Sequence, residues 1–113
     1  MRKVKLNING KDYLLEMDRS SVKWLEAVGF SIEEFTNKPI TYVDYLWMSL
    51  FLKNHKDVNV TLASKLMDSY IEEKGQAMAN KVIKFAIDEY KSFLNALTDT
   101  NSEKTEEELE IIE

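Results

Sequence analysis

Cysteine is absent from this 113-residue chain, proline occurs once, histidine once and glycine three times. Without cysteine there is no disulfide scaffold, no thiolate metal site and no cysteine nucleophile, and the usage suits a reducing compartment. A lone histidine, His55, has no second histidine or cysteine to share a metal with, so it reads as a solvated loop residue. Gly10, Gly29 and Gly75 stand singly at turn positions, which leaves no glycine-rich cradle for a phosphate. No apolar run approaches the ~18 residues needed to span a bilayer, and Met1-Arg2-Lys3-Val4 is not the apolar start of a signal peptide. A soluble protein of the cytoplasm is expected, with no membrane contact.

What is present is enough for one core. A domain of this length buries roughly two-thirds of the surface that its unfolded chain exposes, and its apolar content calls for no metal or disulfide staple. Charge is uneven: residues 98–113 hold seven acids against Lys104, a net of −6, so residues 1–97 carry +1 of the total −5. The fifteen basic residues are scattered among acids and form no stripe, so nucleic acid is not expected as a partner.

Val4, Leu6 and Ile8 alternate with Lys3, Lys5, Asn7 and Asn9, and alternation resumes at Tyr13, Leu15 and Met17 behind Asn9-Gly10. That pair accepts the positive φ angles of a type I′ turn, so a β-hairpin is expected. From Ser20 the period turns helical through Val22, Leu25 and Val28 to a stop at Gly29, with Asp18 and Ser20 both able to cap. Ser31-Ile32-Glu33-Glu34 has the form of a capping box and opens a short helix that ends before Lys38-Pro39.

Thr41 to Asp44 can start the next helix, which is expected to run to about Asn54 through the apolar belt of Tyr42, Val43, Tyr45, Leu46, Trp47, Met48, Leu50, Phe51 and Leu52. So wide a belt belongs at the centre of the core, or in a core helix that keeps one face for a partner. Thr61 then caps a helix that ends near Gly75, and a last helix is expected from about Gln76 to Leu97. The fold class is therefore α+β, an N-terminal hairpin followed by about five helices in one domain over 1–97. Residues 98–113 have too few apolar groups to offset their ordering entropy and are expected to form a disordered acidic tail.

No constellation carries chemistry. Glu33-Glu34 and Glu72-Glu73 read as solvated helix faces, since catalytic carboxylates must converge with their pKa values driven apart. Neither a catalytic residue nor a cofactor or metal ligand is assigned, and no enzyme is expected. Trp24, Trp47, Tyr42, Tyr45, Tyr70 and Tyr90 could build a ligand pocket or an interface hot spot, with core as the default reading. Trp47, Phe51, Met67 and Met78 are named as protein-binding residues, together with Leu109, Ile111 and Ile112, which could dock as a short peptide.

The segments Leu6 to Tyr13, Glu16 to Trp24, Lys38 to Thr41 and Trp47 to His55, taken in order, resemble small tail assembly chaperone-like proteins of long-tailed phages and prophages of Gram-positive bacteria. The resemblance covers roughly residues 4–97 and rests on connected short motifs. It implies a non-enzymatic chaperone that binds the tape measure protein, whose long apolar helices would otherwise aggregate, while tail tube protein assembles around it. It also implies action in the host cytoplasm and absence from the mature virion. From another class, a small regulatory, antirepressor-like binding module that uses its acidic tail to mimic nucleic acid stays open. A hydrolase without recognisable motifs is a weaker third.

Overall fold

The computed structural model describes residues 2–98. Strands β1 (Lys3–Ile8) and β2 (Lys11–Glu16) form an antiparallel hairpin, followed by helices α1 (Arg19–Ala27), α2 (Ile32–Asn37), α3 (Pro39–Ser49), α4 (Val60–Lys74) and α5 (Gln76–Thr98). This is the α+β class read from the sequence. The expected tail, including Leu109, Ile111 and Ile112, lies outside the described residues.

The hairpin register pairs Ile8 with Lys11, Leu6 with Tyr13 and Val4 with Leu15. Asn9 at φ 53° and Gly10 at φ 81° supply the two positive angles that the two-residue turn requires. A Cβ at Gly10 would meet nothing within 4 Å, so a substitution there costs backbone strain alone. Gly10→Val is expected to destabilise the fold by about 1–3 kcal/mol, and Gly10→Asn by distinctly less, because Asn tolerates the left-handed region. Urea unfolding of both variants measures the difference, and equal costs would contradict it.

One face of the hairpin packs Leu6, Ile8, Tyr13, Leu15 and Met17 against the helices. α3 is central, touching each of the other four helices. Leu46, Trp47, Leu50 and Phe51 are all 0% exposed. Edge-on contacts join Phe51 to Trp47 and to Tyr13, each with ring centroids 5.5 Å apart.

Local chemistry sets most boundaries: one of the two candidate caps of α1 is used, and expectations at three helix starts, those of α2, α3 and α4, are corrected. Asp18, not Ser20, caps α1: its carboxylate accepts from Ser21 N at 2.9 Å while Ser21 Oγ accepts from Asp18 N, a full reciprocal box. At α2 only the first half of the expected box forms, Ser31 Oγ accepting from Glu34 N at 3.0 Å. α4 is capped by Asn59, whose Oδ1 accepts from Leu62 N at 2.8 Å, and not by Thr61. α3 starts at Pro39 and not at Thr41 to Asp44, since the missing proline N–H is no loss at a first helical turn.

The largest difference is the end of α3, which stops at Ser49 and not near Asn54. Residues 50–54 continue as tighter turns, with Phe51 N donating to Met48 O at 2.9 Å. The cause lies in β2, whose outer edge this segment covers. Glu16 N donates to Leu50 O at 3.2 Å, Asn54 Nδ2 donates to Leu14 O at 3.2 Å, and Leu14 N donates to His55 Nε2 at 3.0 Å. His55 is therefore a structural acceptor packed edge-on to Tyr13, with ring centroids 5.0 Å apart, and not a solvated loop residue.

The same segment neutralises a buried acid. Glu16 is 2% exposed, and its carboxylate accepts from Asn54 Nδ2 at 3.0 Å and Lys53 Nζ at 3.2 Å. The Asn54 bond, aided by Lys53 and opposed by burial, holds this carboxyl below its ordinary value. A lowered folded-state value contributes stability above the usual carboxylate range, and that stability is lost as pH falls through the lowered value. Thermal melts from about pH 6 to about pH 3 should show a smaller acid loss for Glu16→Gln than for wild type. An equal loss would place the acid sensitivity elsewhere.

Candidate protein-binding surface

Among the named binding residues, Trp47, Phe51 and Met67 belong to the core and not to any surface. Trp47 Nε1 is the buried side-chain polar atom left without a partner among the described residues, so the burial of this side chain rests on area and ring contacts. Met78 is 40% exposed and is the one named residue seen to face outward. Of the six aromatics weighed as a pocket or hot spot, Trp47, Tyr70 and Tyr90 are buried, whereas Trp24, Tyr42 and Tyr45 are only partly so.

Those three rings form a row where α1 meets α3. Trp24 of α1 lies edge-on to Tyr45 of α3, ring centroids 5.7 Å apart, and Tyr45 is 5.8 Å from Tyr42 one turn earlier. Tyr42 in turn meets buried Phe30 at 6.1 Å, and Phe30 packs on Tyr90 of α5 at 4.9 Å. Burial, with Glu26 adding to it, pushes the Tyr90 hydroxyl up, as befits a packed, neutral ring. The row is thus a solvent-facing edge of an aromatic stack rooted in the core. Gly29, at φ 88°, lets the chain turn closely past it, since a Cβ there would sit 3.3 Å from the Tyr42 hydroxyl.

The amphipathic pattern of α1 made Val22 and Leu25 core candidates, and both are buried. Nothing in periodicity separates Trp24 from Trp47, because each lies beside an apolar stripe. The usable signal is position in the belt: Tyr42 and Tyr45 precede the continuous run of buried residues that starts at Leu46.

Chemistry elsewhere is sparse. An open groove of about 490 Å³ is lined by Arg2, Glu89, Ser92, Phe93 and Ala96. Its charged groups are committed to each other, with Arg2 N donating to Glu89 Oε1 at 3.1 Å and Arg2 Nε to Oε2 at 3.2 Å. Among the described residues no group of three or more His, Asp or Glu side chains could hold a metal ion. No described helix is long and apolar enough to cross a membrane.

No curated protein and no solved structure matches the chain. A family model does match, over residues 1–111, a span that crosses the 97/98 boundary and includes Leu109 and Ile111. The chain belongs to that family, described as Domain of unknown function (DUF5055).

Proposed function

We propose that this domain is a non-enzymatic tail assembly chaperone of a long-tailed phage or prophage, acting in the host cytoplasm on the tape measure protein and on tail tube protein, and absent from the mature virion. The observation that carries the binding role is the Trp24–Tyr45–Tyr42 row, partly exposed and held rigid by Phe30 and Tyr90 behind it. Partly exposed Trp and Tyr anchors on a packed base supply large contact area at small entropy cost, which is the chemistry of binding hot spots. Large apolar side chains beyond the row add to the surface that an apolar helix could use: Ile40 is 83% and Leu97 81% exposed, with Met78 and Leu62 less so.

What joins this surface to phage tails is the ordered resemblance of the segments Leu6 to Tyr13, Glu16 to Trp24, Lys38 to Thr41 and Trp47 to His55. Co-expression of the full chain with the tape measure protein of the same genome tests the reading. A soluble complex of the two, with tape measure protein insoluble when expressed alone, is the expected result. Tape measure protein that stays insoluble beside a folded, abundant partner would overturn it.

A further inference from the structure

The second edge of the hairpin carries an inference that is independent of the chaperone reading. A two-residue turn makes Ile8 and Lys11 a hydrogen-bonded pair, and pairs alternate from there. Val4, Leu6 and Ile8 therefore bond inward to β2, while the main-chain groups of Lys3, Lys5 and Asn7 point away from it. The same alternation turns Leu14 and Glu16 outward on β2, where both bond to residues 50–55. Among the described residues β1 has no such cover. Beyond the turn, Asn9 N donates to Glu73 Oε1 at 2.9 Å, but no group among the described residues bonds the outward main-chain atoms of Lys3, Lys5 or Asn7, and all three side chains are exposed.

We propose that this open edge of β1 is a docking site for an acidic extended strand, and that its occupant is the chain's own C-terminal segment, residues 105–113. Charge selects the occupant. Lys3 and Lys5 flank the edge, and among the described residues Lys5 has only an exposed contact to Asp12 at 3.5 Å. Antiparallel pairing of β1 with β1 of a second copy would set lysines against lysines across the strands, which is destabilising. Residues 105–113, Thr-Glu-Glu-Glu-Leu-Glu-Ile-Ile-Glu, contain five acids, no base, no proline and no glycine.

Alternation fits as well. In an extended segment Glu106, Glu108, Glu110 and Ile112 share one face, the face for Lys3 and Lys5, while Leu109 and Ile111 share the other with Glu107 before them, beside partly buried Val4 and the core. Reach is sufficient. Arg2 N is bonded to Glu89, α5 continues to Thr98, about 14 Å further at helical rise, and residues 99–104 can span up to about 20 Å. Such strand addition to a free sheet edge draws its affinity from main-chain bonds and its selectivity from the flanking side chains.

The test is residue-resolved amide exchange by NMR on the full chain, comparing wild type with Leu109→Pro/Glu110→Pro, a change beyond Thr98 that removes two successive N–H groups and so a donor to β1 whichever way the added strand runs. Exchange at Lys3, Lys5 and Asn7 is expected to be about tenfold slower in wild type than in the double variant, with Leu6 and Tyr13 unchanged. A full-chain Lys3→Glu/Lys5→Glu variant should lose the same protection, as should wild type in about 1 M salt, where the Debye length is about 3 Å. Equal exchange at the three amides in wild type and in the proline variant would overturn the proposal. Protection that disappears on dilution would also overturn it, assigning the edge to a second copy.

Discussion

Leu50→Ala is expected to lower the free energy of unfolding by about 2–5 kcal/mol, and Leu46→Ala by a similar amount. Both side chains are 0% exposed: Leu46 lies in the last turn of α3, which touches the four other helices, and Leu50 caps the end of that helix beside β2. Leu50 adds a second role, because its carbonyl takes the Glu16 N–H and so anchors β2. The backbone bond survives the substitution, but the packing that positions it does not. With total stabilities of about 5–15 kcal/mol usual for single domains, either variant would populate unfolded chain near physiological temperature. Urea unfolding monitored by circular dichroism measures the loss, and a cost below about 1 kcal/mol would remove α3 from the centre of the fold.

Trp24→Ala should weaken binding of a tape measure segment by at least about 30-fold, the equivalent of about 2 kcal/mol at a hot spot. Its stability cost should be smaller than that of Leu50→Ala, since Trp24 is only partly buried. Tyr45→Ala should act in the same direction, because Tyr45 joins Trp24 to Tyr42 and its loss breaks the row in the middle. The two losses should fall short of additive, as expected for rings in contact. Titrations with folded variants, checked by circular dichroism, separate binding from unfolding. Undiminished affinity in both would move the interface off the α1–α3 seam.

Much of the fold was legible because the local signals were chemically unambiguous. Asn9-Gly10 between two alternating runs admits few conformations other than a hairpin, and Gly29, Pro39 and Gly75 mark real junctions. The end of α3 was not legible, since Leu50, Phe51 and Leu52 extend the apolar belt and nothing local stops a helix there. What stops it is distant in sequence: the unpaired edge of β2 takes the Leu50 carbonyl and recruits Asn54 and His55. Asn59 and Thr61 are both good caps, and the choice turns on the register of α4 against the core, which buries Val58 and Ala63.

Which of the candidate binding residues stay accessible was read less well, for a related reason. Aromatic and methionine content identifies residues able to make an interface but not which of them the core consumes. Trp47 on α3, Phe51 in the turns that follow it and Met67 on α4 all lie in the core cluster, so packing takes them. Trp24, Tyr42 and Tyr45 lie where α1 and the first turns of α3 run out of neighbours. Leu109, Ile111 and Ile112 belong to the segment outside the described residues, and their role rests on the exchange experiment at the β1 edge.

The two tryptophans make one measurement especially direct. Trp47 is 0% exposed, whereas Trp24 is only partly buried, so acrylamide quenching of tryptophan emission reports chiefly on Trp24. Quenching is to be measured on the full chain, free and saturated with a tryptophan-free apolar helix of the tape measure protein, with Trp24→Phe as the control that isolates Trp47. The account requires the quenchable fraction to fall on binding in wild type and to stay low and constant in Trp24→Phe. A segment that binds while Trp24 remains as quenchable as in the free protein would contradict the proposal that this aromatic row is the surface that holds the tape measure protein.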